Sequence, residues 1–278
     1  MTVDACKALA VANDGLDANR RLEAWLHDRC GLHFGEADLG LMGQRLARVV
    51  EQFGLQGLGE LAREIERDKN HELTAAVVHA ASTNHTYFFR EMDTLDFYRR
   101  HLFDLAKSQG EIRVWSAATS TGDEAYTCAI IAVEALGLEE AQERVKILGT
   151  DISAPVIETA ELGIYRRPNL EYTPDHLRPR FFRPLADGRV AVSDDIKRMC
   201  TFRRMNLKHR PYPFQKKFDI VLCRNVLYYF RIPTQREVLH SVHEVVQPGG
   251  ILLTDVSFTL RDLRVPWNTV RSGAHRKI

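Results

Sequence analysis

The sequence predicts an α/β protein: a doubly wound, mostly parallel sheet with a helical N-terminal domain before it and a small antiparallel β insertion within it. Three observations predict this. Up to about residue 82, apolar residues recur at helical spacing with no strand-like alternation. From Arg113 onward, short apolar runs alternate with helical segments, the pattern of a parallel sheet with crossover helices. Between Tyr165 and Asn206 that alternation is broken by Pro168, Pro174, Pro179, Pro184 and an Asp187-Gly188 turn. The domains follow as 1–82 (helical) and 83–278 (α/β), with the β insertion at about 166–204.

The elements can be justified in chain order. Asp17 is read as the cap of a helix through Leu22, Trp25 and Leu26 that stops near Gly31. Leu39, Met42, Leu46, Val49, Val50 and Phe53 form a second stripe, ended by Gly54. Leu58, Leu61 and Ile65 make a third, and Leu73, Val77 and Ala80 a fourth. The segment STNHTYFFRE reads as a short helix that packs Phe88 and Phe89 into a domain interface, which leaves Arg90 unexplained. Three strand–helix repeats and a closing strand follow. IRVWSAA precedes a helix over Asp123 to Leu136, and VKILGTDIS precedes one over Val156 to Leu162. FDIVLCRNV precedes one near Thr234 to Val246, and GGILLTDVSF closes the series.

Composition narrows the class of function. Lys and Arg number 38 against 37 Asp and Glu, so the whole chain is not a strongly basic nucleic-acid binder. No apolar run reaches the ~20 residues of a membrane-spanning helix. MTVDACKALAVANDGLD lacks a charged segment followed by an apolar one, so no secretory signal is expected. Cys6, Cys30, Cys128, Cys200 and Cys223 are odd in number, widely spaced and without a CxxC, which predicts structural thiols in a reducing cytoplasm. The histidines, among them His27, His33, His79 and His85, show no HxH or HExxH spacing, and no metal is expected.

In a doubly wound sheet, ligands sit outside the carboxyl ends of the strands, so the residues there carry the functional reading. The first strand ends in SAATSTGDEAY. Its small residues and Gly122 admit a close ligand, and the next helix offers N-terminal amides. A plain tight turn is the alternative, since GxGxxG is absent. Asp151 ends the second strand and suits ribose hydroxyls; it also suits an N-cap. Asn206, Arg224 and Asn225 end two further strands, where each alone could be a turn residue.

In this order and at similar spacing, TNHTYFFR, VWSAATSTGDEAYT, LGTDIS, RMNL and FDIVLCRNVLYYF resemble the signatures of the CheR family of chemotaxis receptor methyltransferases. That family reads TNxTxFFR, VWSAAxSTGEEPYS, a second strand ending in an acid, NL and FDxIxCRNVxIYF. The match runs from about Leu22 to Phe258. The chain departs from the family at Asp123-Glu124-Ala125, where Glu-Glu-Pro is usual. It departs again at GILLTDVSF, where the family reads GLLFAGHSE, and in the tail WNTVRSGAHRKI, which is unlike the family's closing strands.

The resemblance implies a Rossmann-like methyltransferase sheet. It implies S-adenosylmethionine as methyl donor, S-adenosylhomocysteine as product, and no metal. The acceptor it implies is a glutamate side chain in the cytoplasmic domain of a chemoreceptor. Cofactor contacts then fall on Asn84, Thr86, Arg90, Glu124, Asp151, Asn206, Leu207, Arg224 and Asn225. Arg90 and Tyr229 are the candidates for orienting the acceptor carboxylate. Arg45 and Arg48, beside the apolar stripe of the second helix, are the candidates for meeting acidic receptor helices, with a solvated helix face as the alternative. The protein is expected to be a cytoplasmic monomer that inserts in no membrane and binds no nucleic acid. Two rivals remain: a methyltransferase with a non-receptor protein or small molecule as acceptor, and a non-catalytic module that senses the cofactor or its product.

Overall fold

A computed structural model describes residues 3–278, with side chains from residue 15. The chain divides into two compact units, residues 1–83 with 229–234, and residues 84–228 with 235–278.

The first unit is helical: α1 (Val3–Cys30), α2 (Leu39–Gln52), α3 (Leu58–Glu66) and α4 (His71–Ala81). Its core is the predicted stripes, with Leu22, Leu26, Met42, Leu46, Leu61 and Ile65 fully buried. Helix α4 starts at Asn70, whose side chain accepts from the amides of Glu72 and Leu73 and so satisfies two orphan donors. Asp17 caps nothing: α1 begins far upstream, and Asp17 lies exposed inside it. Cys6 lies outside the residues whose side chains are described. Residues 229–234 join this unit through a bridge between Phe230 and Leu32 and a bond from the His33 amide to the Tyr229 carbonyl at 2.8 Å.

The second unit holds, in order, α5 (Met92–Ala106), β1 (Ile112–Ser116), α6 (Asp123–Leu136), α7 (Leu138–Arg144), β2 (Val145–Asp151), α8 (Ala154–Leu162) and β3 (Ile164–Tyr165). Next come α9 (Arg178–Phe181), β4 (Phe182–Pro184), β5 (Val190–Val192), α10 (Asp194–Lys197), β6 (Cys200–Arg204) and β7 (Phe218–Leu222). Helix α11 (Ile232–Val245), which belongs to this unit from Gln235, and β8 (Val246–Leu253), β9 (Trp267–Arg271) and β10 (Ala274–Lys277) complete the chain. The main sheet has seven strands in the order β6-β2-β1-β7-β8-β10-β9. Its first five strands are parallel, and β10 runs antiparallel to both β8 and β9. All five residues of β7 are buried, as befits a strand covered on both faces.

Three expectations need correction. The segment at 84–91 is not helical, and Phe88 and Phe89 belong to the core of the second unit. Phe88 makes edge contacts with Tyr165 and Phe182, both at 4.9 Å. The antiparallel insertion is a three-stranded sheet, β3-β5-β4, with Asp187 and Gly188 in its turn. It ends before β6, which returns to the main sheet as an edge strand beside β2, so the insertion is shorter than 166–204. The tail, unlike the family's closing strands by sequence, nevertheless forms the β9–β10 hairpin of the main sheet. No helix among the described residues is long and apolar enough to cross a membrane. Cys30, Cys128, Cys200 and Cys223 are free thiols, and burial raises the pKa of the last three.

Candidate active site

After β1 the chain builds outward through β2 to β6, then returns to place β7 on the other side of β1. The carboxyl ends of β1 and β7 therefore flank a topological switch point, where open α/β sheets bind ligands. The residues that follow these two strands meet there.

Arg224, directly after β7 and its turn residue Cys223, is buried to 2% side-chain exposure between two carboxylates. Its Nη1 lies 2.9 Å from Glu124 Oε2, and its Nη2 lies 3.2 Å from Glu91 Oε2. Nη2 also donates to the Arg90 carbonyl at 2.8 Å, which fixes residues 90–91 to the end of β7. Glu124 stands in the first turn of α6, and its Oε1 accepts from Ser116 Oγ, the last residue of β1, at 2.7 Å. Burial raises the Glu124 pKa, opposed by Arg224 and Ser116. Burial also disfavours the Arg224 charge, but Glu124 and Glu91 outweigh it and hold the guanidinium above its ordinary value.

Asn225 takes a left-handed backbone, φ 55°, which costs a non-glycine residue about a kcal/mol. Asp255, just beyond β8, holds it there. The two carboxylate oxygens accept from the Asn225 amide at 2.9 and 3.0 Å, and Oδ1 also accepts from Asn225 Nδ2. Burial, with Glu91 nearby, raises the Asp255 pKa against the opposing amide bond.

Asp151 ends β2. One of its oxygens accepts from the Ser120 amide at 2.9 Å and the other from the Ser153 amide at 3.0 Å. It is not the cap of α8, a position that Ser153 occupies. It ties the end of β2 to the loop after β1. Gly122 lets that loop close onto α8: its φ is +90°, and a Cβ there would stand 2.8 Å from Ala160 Cβ. Ser120 Oγ donates to the Asn84 carbonyl at 3.0 Å, which brings residues 84–90 over the same loop. Thr86 is half-buried in that segment. Asn206, after β6, accepts from the Lys208 amide at 3.0 Å in a local turn, and Leu207 beside it is buried. Arg90 donates to the His85 carbonyl at 3.2 Å and lies 3.7 Å from Glu91.

Glu124 and Arg224 pair directly, and backbone bonds tie the segments carrying Asn84, Arg90, Asp151 and Asn225 to the same strand ends. Two members escaped the sequence reading. Glu91 sits next to Arg90 in the motif, and Asp255 replaces a residue in the family's last-strand pattern; that departure was the available signal. Arg45, Arg48 and Tyr229 lie in the first unit. There, α2 and α4 border a groove of about 470 Å³ lined by Leu41, Arg45, Arg48, Ala76 and His79 among others. Arg45 is not simply solvated: its Nη1 donates to the Ala81 carbonyl at 3.2 Å and Thr83 Oγ1 at 3.0 Å, binding α2 to the end of α4.

Comparison with known proteins shows the family. Residues 84–271 match the family model of the CheR methyltransferase, SAM binding domain. A chemotaxis protein methyltransferase of Vibrio parahaemolyticus is 35% identical over 264 residues, 91% of this chain and 92% of that protein. One from Borreliella burgdorferi is 31% identical over 88% of this chain and 89% of that protein. One from Escherichia coli is 32% identical over 84% and 81% respectively. The chain therefore belongs to the CheR methyltransferase family and is an S-adenosylmethionine-dependent methyltransferase.

Proposed function

We propose that the chain methylates glutamate side chains in the cytoplasmic part of chemoreceptors, forming γ-glutamyl methyl esters in chemotaxis adaptation. The names of the relatives, chemotaxis protein methyltransferases, carry the acceptor in this reading, and the charge of the switch-point cluster supports its cofactor. Glu91, Glu124 and Asp255 set three carboxylates against the two guanidiniums of Arg224 and Arg90. The excess is negative, and S-adenosylmethionine, with a sulfonium, an ammonium and one carboxylate, is net positive.

The donor set fits such a molecule. Glu91 Oε2 is buried with Arg224 Nη2 3.2 Å away. Each carboxylate of the cluster has about four lone-pair sites, and Glu124 uses two in the contacts named. Capacity thus remains for an ammonium near Glu124. The Arg90 guanidinium can pair with a carboxylate, Asp151 would accept from a ribose diol, and Asn206 with Leu207 offers a polar edge beside an apolar one. When bound, the cofactor supplies an electrophilic methyl group and leaves as S-adenosylhomocysteine.

The protein has little chemistry to add. A glutamate acceptor is already ionised at pH 7, so no strong base is required. Arg90 orients the acceptor carboxylate, and alignment with exclusion of water lowers the barrier. Tyr229, by family resemblance, assists in that orientation. Arg45 and Arg48 provide positive charge for an acidic receptor helix. No metal enters this reading.

The test uses methyl-labelled S-adenosylmethionine, the full chain, and membranes carrying chemoreceptors of the source organism. Label on a receptor-sized band, released by mild alkali as methanol, is expected. Calorimetric cofactor binding without receptor label would move the acceptor elsewhere or make the protein a sensor.

A further inference from the structure

The role given to Arg90 needs its guanidinium held in one orientation, and its polar contacts do this only loosely. Nη1 reaches the His85 carbonyl at 3.2 Å, while the 3.7 Å approach to Glu91 exceeds a hydrogen bond. An aromatic contact supplements them. The Arg90 guanidinium lies over the Tyr87 ring, 5.7 Å from its centroid, within cation–π range. Tyr87 packs in turn against Tyr172, with centroids 4.8 Å apart and planes inclined by 35°.

Tyr172 is 58% exposed, so its ring adds little to the core. The chain on either side of it is nevertheless tied down, with the Glu171 amide donating to the Pro168 carbonyl at 3.1 Å and the Thr173 amide to the Leu170 carbonyl at 2.9 Å. The neighbouring Asn169 carbonyl accepts from the Phe88 amide at 3.0 Å, and Asn169 Nδ2 donates to Asp123 Oδ1 at 3.0 Å. Tyr165 donates to the Thr121 carbonyl at 2.6 Å. The start of the β insertion is thus bonded both to the loop after β1 and to the segment that carries Arg90. An exposed ring on so firm a mount is better suited to holding a neighbour than to filling a core.

We propose that Tyr172 is a positioning residue: it holds Tyr87, and Tyr87 holds the Arg90 guanidinium in the orientation that pairs with a carboxylate. The proposal rests on the role given to Arg90 above. It ties methyl transfer to the β insertion through three side chains, Tyr172, Tyr87 and Arg90.

The experiment compares Tyr87→Ala, Tyr172→Ala, Tyr172→Phe, Arg90→Ala and the double variant Arg90→Ala with Tyr172→Ala, all in the full chain. It reads methylation rate on receptor membranes, S-adenosylhomocysteine affinity by calorimetry, and melting temperature. Exposed cation–π contacts correspond to changes of about two- to fivefold. Tyr172→Ala and Tyr87→Ala are expected to lower kcat/KM and product affinity by about that factor at unchanged melting temperature. Tyr172→Phe should restore the parent values. Because Arg90→Ala is expected to turn over too slowly, the pair is read in affinity, where Tyr172→Ala should add nothing to Arg90→Ala. Parent-like rate and affinity in Tyr172→Ala, or full additivity with Arg90→Ala, would overturn the proposal and leave the Arg90 assignment standing. Parent-like behaviour of Arg90→Ala would instead remove that assignment and the proposal with it.

Discussion

Arg224 and Glu124 pair at 2.9 Å although a hundred positions separate them in the chain. The pair joins the end of β7 to the first turn of α6, across the switch point of the sheet. Glu91 completes the surroundings of the guanidinium, so its neighbours are unequal in what their loss exposes. Replacing Arg224 leaves Glu124 and Glu91 without their shared cation. Replacing Glu124 leaves Arg224 still paired with Glu91.

The first prediction follows from that inequality. Arg224→Met should cost about 3–5 kcal/mol of stability, the range for breaking a buried ion pair. Glu124→Gln should cost about 1–2 kcal/mol, since a hydrogen-bonding group of the same shape remains. Both should bind S-adenosylhomocysteine poorly. Urea unfolding would decide it, and equal costs would show that Glu91 gives Arg224 no compensation.

Asp151 ties two loops together and is also the residue proposed to hold the ribose. Asp151→Asn keeps an acceptor oxygen but loses the charge shared by the Ser120 and Ser153 amides. A stability loss of about 1–2 kcal/mol is expected. Cofactor affinity should fall further, by more than about tenfold, or about 1.4 kcal/mol. Calorimetry beside a melting curve separates the two; an unchanged affinity would remove Asp151 from the binding site.

Gly122→Ala tests the loop itself. The new methyl would stand 2.8 Å from Ala160 Cβ, on a backbone at φ +90°. Left-handed strain and overpacking each cost on the order of 1–3 kcal/mol. Ala160→Gly in the same chain should recover only part of the loss, since Ala160 Cα and Phe202 would still stand 3.2 Å from the new methyl. Full recovery would mean that the backbone conformation carries no cost.

A pH prediction comes from His275. It is buried on β10, between Thr254 Oγ1 at 3.2 Å from Nε2 and Thr269 Oγ1 at 3.0 Å from Nδ1. Burial pushes its pKa down to about 4. Above the unfolded value of about 6.5 the ring is neutral in both states, and its contribution is fully present. As pH falls from there toward 4, the unfolded chain takes up a proton that the folded chain refuses, and stability falls. The loss is on the order of 2–3 kcal/mol. Urea midpoints between pH 8 and 4.5 should show this slope, and His275→Gln should flatten it. An unaltered slope in that variant would place the titration on other groups.

Much of the architecture could be read before folding was considered. The helix over Asp123–Leu136 is bounded by Gly122 and Gly137, both at positive φ, and its limits were readable for that reason. The buried parallel strands were equally legible, because burial on both faces demands continuous apolar runs. The β9–β10 hairpin was not. At the sheet edge only Trp267 of β9 is buried, so no apolar run announces the strand.

The candidate site divides in the same way. The sequence by itself determined the fold class and the family, and it offered as candidates Asp151, Arg224 and Asn225 at strand ends, Glu124 in the helix turn after β1, and Asn84 and Arg90 in the motif before α5. That Glu91 and Asp255 belong with them was decided by tertiary structure. Glu91 lies over a hundred residues from Arg224, and Asp255 lies 30 from Asn225. Local spacing encodes which residues end a strand. Which strand ends become neighbours depends on the order β2-β1-β7-β8, and that order sets Glu124, after β1, against Arg224, after β7, and Asn225 against Asp255, after β8.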